Sequence, residues 1–300
     1  MTEQHTGCVA TIVIVTKDRR DDLERALRSA IAQAGPVEVI VLDDGSSDGS
    51  ADMIATDFPE VRVVRHEESR GYIVRRNEAA DLARAPVIVS IDDDAEFAAP
   101  DTVARFLPVL DDPRIGAVAL PHVDVLQGEH VIQQAPKGSE AYVTNCFRGT
   151  AYAVRRDLFR DLGGFRESLF HQAEEQDLCL RMLATGALVA IGRTPPIRHH
   201  ASPKRDQLRA WVYGPRNDIL FAWHNVPMPY LLGRLAKVSL YELLLGLRVR
   251  RPVVFARSLL AGYLHALQGW RCRRPVSRSV YRLYSDLEAR GAVKLDEIAG

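Results

Sequence analysis

The stretch VIVSIDDD, residues 87–94, runs four branched apolar residues in five positions straight into three consecutive aspartates. A continuous branched run marks a strand covered on both faces. The acids that follow cannot share that cover, because carboxylates packed this closely repel unless water or a cation sits among them. The strand therefore ends at a cleft. Working outward, the same pattern recurs. CVATIVIVT (8–16) is a second covered strand, and DDLERALRSAIAQ (21–33) places Leu23, Leu27, Ala30 and Ile31 on one helical stripe with acids in its first turn. VEVIVLDDGSSDGS (37–50) is a strand breaking into a Gly/Ser turn, where Ser47 or Asp48 is placed to cap a short helix. VRVVRH (61–66) reads as a strand, and YIVRRNEAADLARA (72–85) as a helix stopped at Pro86. DTVARFLPVL (101–110) follows as a helix and IGAVAL (115–120) as a fifth strand. Strands alternating with helices predict a doubly wound, mainly parallel α/β sheet, in which ligands bind beyond the carboxyl ends of the strands. Asp43 and Asp44 follow strand two there, and Asp92, Asp93 and Asp94 follow strand four.

Bulk properties narrow the partners. The 39 basic and 39 acidic residues balance, so overall charge points to no partner and no nucleic-acid partner is expected. The balance is uneven along the chain: residues 231–300 carry net +8 and residues 1–230 net −8. Four scattered cysteines without a CxxC pair exclude a zinc cluster or a disulfide scaffold and fit a reducing cytoplasm. The polar start MTEQHTG lacks the apolar run of a signal peptide. The longest uncharged stretch of the tail, Ser258 to Trp270, falls short of the roughly 20 residues a spanning helix needs.

The aspartate triplet reads as a hard-cation site or as a solvated acidic turn. Mg2+ and Mn2+ prefer oxygen ligands and bridge one or two carboxylates to substrate phosphates. A calcium loop is excluded, since no glycine stands sixth and no glutamate twelfth from Asp92. The DDGS turn places two acids and small residues where a ribose or base fits, or forms an ordinary capping turn. Neither GxGxxG nor a Walker lysine loop is present, which excludes a dinucleotide fingerprint and a P-loop.

The segments ATIVIVTKDR, VIVLDDGSSDGS, RGYIVRRNEAA, VIVSIDDDAEF, GTAYAVRRDLFRDLGGFRE, EEQDLCLRM and IRHHAS occur in an order that resembles family-2 glycosyltransferases, over about residues 8–225. The resemblance implies a GT-A fold, a nucleotide-sugar donor and a divalent cation, Mn2+ or Mg2+. Asp92 and Asp94 map onto the family's DxD acids, and with Asp93 they lie at the donor diphosphate. Asp43 and Asp44 inherit the nucleoside contact, with Thr16, Arg19 and Arg76 as further nucleotide-side groups. In LGGFRESLF (162–170), Gly163 and Gly164 permit a tight turn and Phe165 packs under the acceptor; a helix C-cap explains the glycines equally well. EEQDLCLRM resembles the family's acidic helix start, with glutamate at the usual aspartate position. The resemblance gives Glu175 the role of catalytic base, ahead of Asp177 and Glu174; first-turn acids are also ordinary helix-dipole partners. In RHHAS (198–202) one histidine joins the metal. Adjacent side chains on extended backbone point opposite ways, and His200 is preferred over His199. Arg216, in YGPRNDILFAWHN (213–225), meets phosphate or solvent.

The expected protein is thus an inverting, metal-dependent transferase. It moves a sugar to a hydroxyl on a glycan or lipid-linked acceptor, in cell-envelope or extracellular polysaccharide synthesis. A metal-dependent nucleotidyltransferase and a non-catalytic nucleotide-sugar binder are the alternatives. Residues 1–225 form the catalytic body, with a donor half at 8–120 and an acceptor half at 121–225; residues 226–300 form a basic helical extension. From Tyr230 the tail places Leu231, Leu232, Leu235, Val238 and Ser239 at helical spacing and carries arginine clusters. It either caps the body or lies on an anionic membrane, placing the enzyme in the cytoplasm, peripheral on the inner face of the membrane.

Overall fold

The computed structural model describes residues 7–128, 130–201 and 207–298. The polar start and Ser202 of the RHHAS segment lie largely or wholly outside that set. The first half alternates: β1 (Ala10–Thr16), α1 (Arg20–Ile31), β2 (Val37–Asp43), α2 (Ser50–Asp57), β3 (Arg62–Arg65), α3 (Tyr72–Leu82) and β4 (Val87–Asp92). Next come β5 (Ala95–Glu96), α4 (Thr102–Phe106) with a 3-10 turn to Asp111, β6 (Ile115–Ala119), β7 (His122–Asp124) and β8 (Val131–Ile132). Then follow β9 (Tyr142–Thr144), β10 (Ala151–Arg155), α5 (Arg156–Asp161), α6 (Glu174–Ala184), β11 (Leu188–Ile191) and β12 (Ile197–His199). Four helices and a strand complete the chain: α7 (Gln207–Asn225), α8 (Tyr230–Arg248), α9 (Pro252–Gln268), α10 (Arg278–Arg290) and β13 (Val293–Lys294).

Among the described residues the strands form a nine-stranded sheet, β13-β9-β11-β6-β10-β4-β1-β2-β3, and a small one, β5-β12-β7-β8. β3, β2, β1 and β4 are parallel neighbours. Their alternate side chains enter two cores: Ile12, Ile14, Val39, Val41, Val89 and Ile91 one way, and Val13, Ile40, Leu42 and Ile88 the other. The unbroken apolar runs exist because both faces are covered. One face is covered by α1, through Leu23, Ala26, Leu27 and Ala30, while Ile31 stays half-buried. The other is covered in part by α3 and α5 through Ile73, Ala79 and Phe159.

The sheet departs from simple alternation at one place. β10 lies between β4 and β6, antiparallel to both, so the expected fifth strand is not the neighbour of the fourth. β10 reaches that slot from the second half of the chain and ties the two halves into one sheet. The C-terminal helices also join the body. α7 lies against α9, where a Cβ on Gly262 would come 2.8 Å from Arg216 O, and β13 pairs with β9 at the sheet edge. Tyr281, Tyr284 and Leu287 of α10 are buried in the main core.

Candidate active site

The parallel register places Thr16 beside Asp43 and Val15 beside Asp92, so β1, β2 and β4 deliver their terminal groups to one edge of the sheet. Thr16 Oγ1 donates to Asp93 Oδ2 at 2.9 Å, and Arg19 Nη1 lies 2.8 Å from Asp93 Oδ1 and 3.3 Å from Asp94 Oδ2. Burial pushes the Asp93 carboxyl up to about 7, against the pull of Arg19 and with the push of Asp94. Arg76 Nη2 donates to Asp92 Oδ1 at 2.7 Å and to Gly149 O at 2.9 Å, its guanidinium over the Tyr72 ring.

Asp92, Asp94 and His199 each turn one ligand atom into a group whose members lie within 4.8 Å of one another. The expected ligand His200 is not the histidine found there. β12 pairs with β5 on one side and β7 on the other, and this register puts the buried His199 ring toward Asp94, with Nε2 3.3 Å from Oδ1. Its neighbour turns the other way: His200 Nε2 lies 3.1 Å from Glu96 Oε1, and only its backbone N–H reaches Asp94 O, at 2.8 Å. Behind His199, Asp124 Oδ2 of β7 faces Nδ1 at 3.7 Å. A carboxylate behind the far ring nitrogen is how histidine ligands are oriented. Two carboxylates and one imidazole suit a divalent cation with sites left for phosphate oxygens.

The DDGS acids diverge. Asp43 is fully buried; Oδ1 accepts from Ser46 N at 2.8 Å, while Oδ2 has no hydrogen-bond partner among the described residues. A buried carboxylate oxygen left this way is costly unless a ligand supplies the donor. Asp44 is satisfied: it accepts from Ser69 Oγ, Arg70 N, Gly71 N and Arg75 Nε at 2.6–2.8 Å. Those donors hold its carboxyl below the ordinary range although burial works against them. Asp44 therefore organises the turn that leads into α3.

The three acids of α6 also separate. Asp177 is wholly buried between Arg166 Nε, Arg181 Nε and Asn225 Nδ2, each at 2.8 Å, and so joins the 166 segment and α7 to α6. Glu174 is buried and accepts from Tyr72 Oη at 2.6 Å. Glu175 is half-buried beside Gly149, where an added Cβ would overlap its Oε1 and lie 3.1 Å from Arg76 Nη1. Burial raises the carboxyls of both glutamates; Arg76 pulls Glu175 down and Asp92 pushes it up. Arg76 acts on both glutamates, and Asp92 acts on Glu175.

The segment entering α6 is strained. Phe170, Gln172 and Ala173 have φ of 61°, 70° and 68°, a left-handed region that non-glycine residues rarely adopt. Asn217 of α7 holds it, with Nδ2 facing Leu169 O, His171 O and Gln172 O at 2.7–2.9 Å. Tyr72 Oη accepts from Gln172 N at 3.0 Å. Arg216 meets Asn217 Oδ1, Ser168 O and His265 Nδ1, so it braces the same segment. The sequence reading placed His199 behind His200 and missed Asp124, Tyr72 and Asn217. Only the histidine pair carried a signal, and its parity was settled by pairing far along the chain. Phe165 is buried against Tyr152 and Phe159, and Gly163 and Gly164 both have positive φ. A cavity of about 760 Å3 lined by Asn77, Asp81, Asp157, Arg160 and Glu167 contains none of these strand-end groups, and the convergent chemistry outweighs its size.

Among curated proteins, the chain is similar to a pre-mycofactocin glycosyltransferase of Mycobacterium tuberculosis, 25% identical over 94% of this chain and 66% of that protein. The chain thus spans just under two thirds of that relative's length. It is 38% identical to the succinoglycan biosynthesis protein ExoU of Rhizobium meliloti over 32% of this chain and 29% of that protein. Among solved structures, a mannosyltransferase from Pyrobaculum calidifontis in complex with GDP-Man and Mn2+ shares the GT-A fold. Its TM-score is 0.57 at 22% identity, covering 94% of this chain and 80% of that one. A sequence model of glycosyl transferase family 2 matches residues 11–163, from β1 through the acid triplet and β10 to the glycines before α6. With more than half its length so matched, on the fold its strands require, the chain belongs to glycosyl transferase family 2.

Proposed function

We propose that the protein transfers a sugar from a nucleotide-sugar donor to a hydroxyl acceptor with inversion at the anomeric carbon, and that the reaction requires a divalent cation. The observation that carries this reading is the meeting of Asp92, Asp94 and His199 at the strand ends beside Asp43. Those three residues would hold Mn2+ or Mg2+; Mn2+ is put first because it accompanies GDP-Man in the mannosyltransferase that shares the fold. Held by these residues, such a cation would supply charge stabilisation to the departing nucleoside diphosphate.

The chain's own groups supply the rest. Asp43 Oδ2 is placed to accept an N–H or O–H of the nucleoside. Thr16 and Arg19 hold Asp93 in line beside Asp94, and Arg76 fixes Asp92 while offering positive charge to the donor. Glu175 takes the acceptor proton as the acceptor oxygen bonds to the anomeric carbon and the bond from that carbon to phosphate breaks on the opposite side. A carboxyl raised by burial is a stronger base than an exposed one. Residues 8–120 would serve the donor and 121–225 the acceptor, with 226–300 as the extension.

The acceptor is a glycan or a lipid-linked glycan, met in the cytoplasm at the inner face of the membrane during cell-envelope or extracellular polysaccharide synthesis. The similarity to a succinoglycan biosynthesis protein supports that setting. Incubation with radiolabelled UDP-, GDP- and dTDP-sugars, Mn2+ and membrane extract tests the reading. Label transferred to a glycan or lipid is the expected result. Formation of a nucleoside triphosphate and labelled sugar 1-phosphate when pyrophosphate is added would instead make the protein a nucleotidyltransferase, and donor binding without turnover would make it a binding module.

A further inference from the structure

The helices α8 and α9 bury one face and leave an apolar stripe on another. Leu231, Val238 and Gly246 of α8, and Phe255, Leu259 and Ala266 of α9, are buried. Yet Leu240, Leu244 and Leu247 of α8, and Leu260, Leu264 and Leu267 of α9, are each more than half exposed. Both triplets have the spacing i, i+4, i+7, which lines one side of a helix. Trp270, 61% exposed, extends the second stripe just past the end of α9. A folded protein rarely leaves so many large apolar side chains in water without something to cover them.

The charge around the stripes identifies the cover. Lys237, Arg248, Arg250, Arg251 and Arg257 are exposed, and none has a carboxylate partner among the described residues. Glu242 is the only acid from Tyr230 to Leu283, and it is buried. A second copy of the chain docking on this face would bring two basic rims together. A surface of anionic lipid offers what both features require, phosphates for the guanidinium groups and an acyl boundary for the leucines. None of the described helices is long and apolar enough to cross a membrane, so the helices would lie on it.

We propose that α8 and α9 form a docking face for anionic lipid, lying in the headgroup plane with the leucine stripes down and the arginines on lipid phosphates. The reading of a lipid-linked acceptor gives this face its purpose, and the proposal rests on it to that extent. The exposed stripes and rim stand apart from the strand-end site.

The test is sedimentation of the full chain with vesicles of phosphatidylcholine alone and of phosphatidylcholine with phosphatidylglycerol, at low and high salt. The expected result is binding to the mixed vesicles only, released by salt. The double variant Leu240→Glu/Leu264→Glu should abolish binding, and Arg257→Ala should weaken it about fivefold. These side chains are exposed, so the fold is kept. Failure to bind the anionic vesicles, or binding unchanged in the double variant, overturns the proposal. A dimer in solution that the double variant disperses also overturns it and assigns the face to a second copy. Vesicle binding without sugar transfer would sink the enzymatic reading and leave the docking face standing, whereas transfer without vesicle binding does the reverse.

Discussion

Glu174, Glu175 and Asp177 share one turn of α6, and their neighbours give them three different chemistries. Asp177 is held by two arginines and an asparagine, Glu174 is capped by the Tyr72 hydroxyl, and Glu175 lies with Arg76 beside Gly149. A base must be reached by the acceptor, and of the two glutamates Glu174 is buried while Glu175 is only half-buried. Glu175→Gln should therefore lower turnover about 10²-fold or more while donor affinity stays level. Since burial raises this carboxyl and the base acts deprotonated, wild-type turnover should climb as pH rises through a value above the ordinary glutamate range. The glutamine variant should lose that limb. Asp177→Asn should instead lower thermal stability, because two arginines lose their buried anion. A pH profile of kcat for the two variants, with their melting curves, checks both. Turnover falling in Asp177→Asn at full stability, with none lost in Glu175→Gln, would move the base by two residues.

At the scale of elements, the loop into α6 shows what one sequence can and cannot disclose. The branched runs of β1, β2 and β4 were legible because both faces of each strand are covered, and α1 and α3 because their apolar positions recur at helical spacing. The acids at the strand ends were legible as the place where the apolar runs stop, but their enclosure was not. Asp43, Asp93 and Asp94 are all buried, against the expectation that they could not share the strand's cover. The antiparallel insertion of β10, the choice of His199 over His200 and the enclosure of Asp44 were not legible either. Each depends on register with a segment tens of residues away. The strain at Phe170, Gln172 and Ala173 was equally hidden, and so was Asn217, which holds three carbonyls of that loop from a helix about fifty residues on. Asn217 contacts the backbone of the loop before α6, so under the proposed function it would position Glu175 through that backbone. Asn217→Ala should cut kcat roughly 10- to 100-fold, as small misplacements of catalytic groups do, with the donor KM unchanged. A donor KM that rose while kcat held would show that the loop serves the donor instead.

For the whole molecule, β10 joins the first and second halves of the chain in one sheet. Asp92 ends β4, its neighbour on one side, and the segment after β10 leads through α5 to the α6 acids. Under the proposed function this sheet edge holds a cation through Asp92, Asp94 and His199 and the donor through the cation. The most direct measurement is thermal unfolding of the wild type, Asp94→Ala, His199→Ala and His200→Ala with each nucleotide sugar, in Mn2+ and again in EDTA. A ligand bound only by the folded state raises the melting temperature by mass action. A cation-held donor site predicts a donor-dependent rise in the wild type and in His200→Ala with Mn2+, absent in EDTA, lost in Asp94→Ala and reduced in His199→Ala. A donor-dependent rise of the same size in EDTA, or in Asp94→Ala, would contradict it.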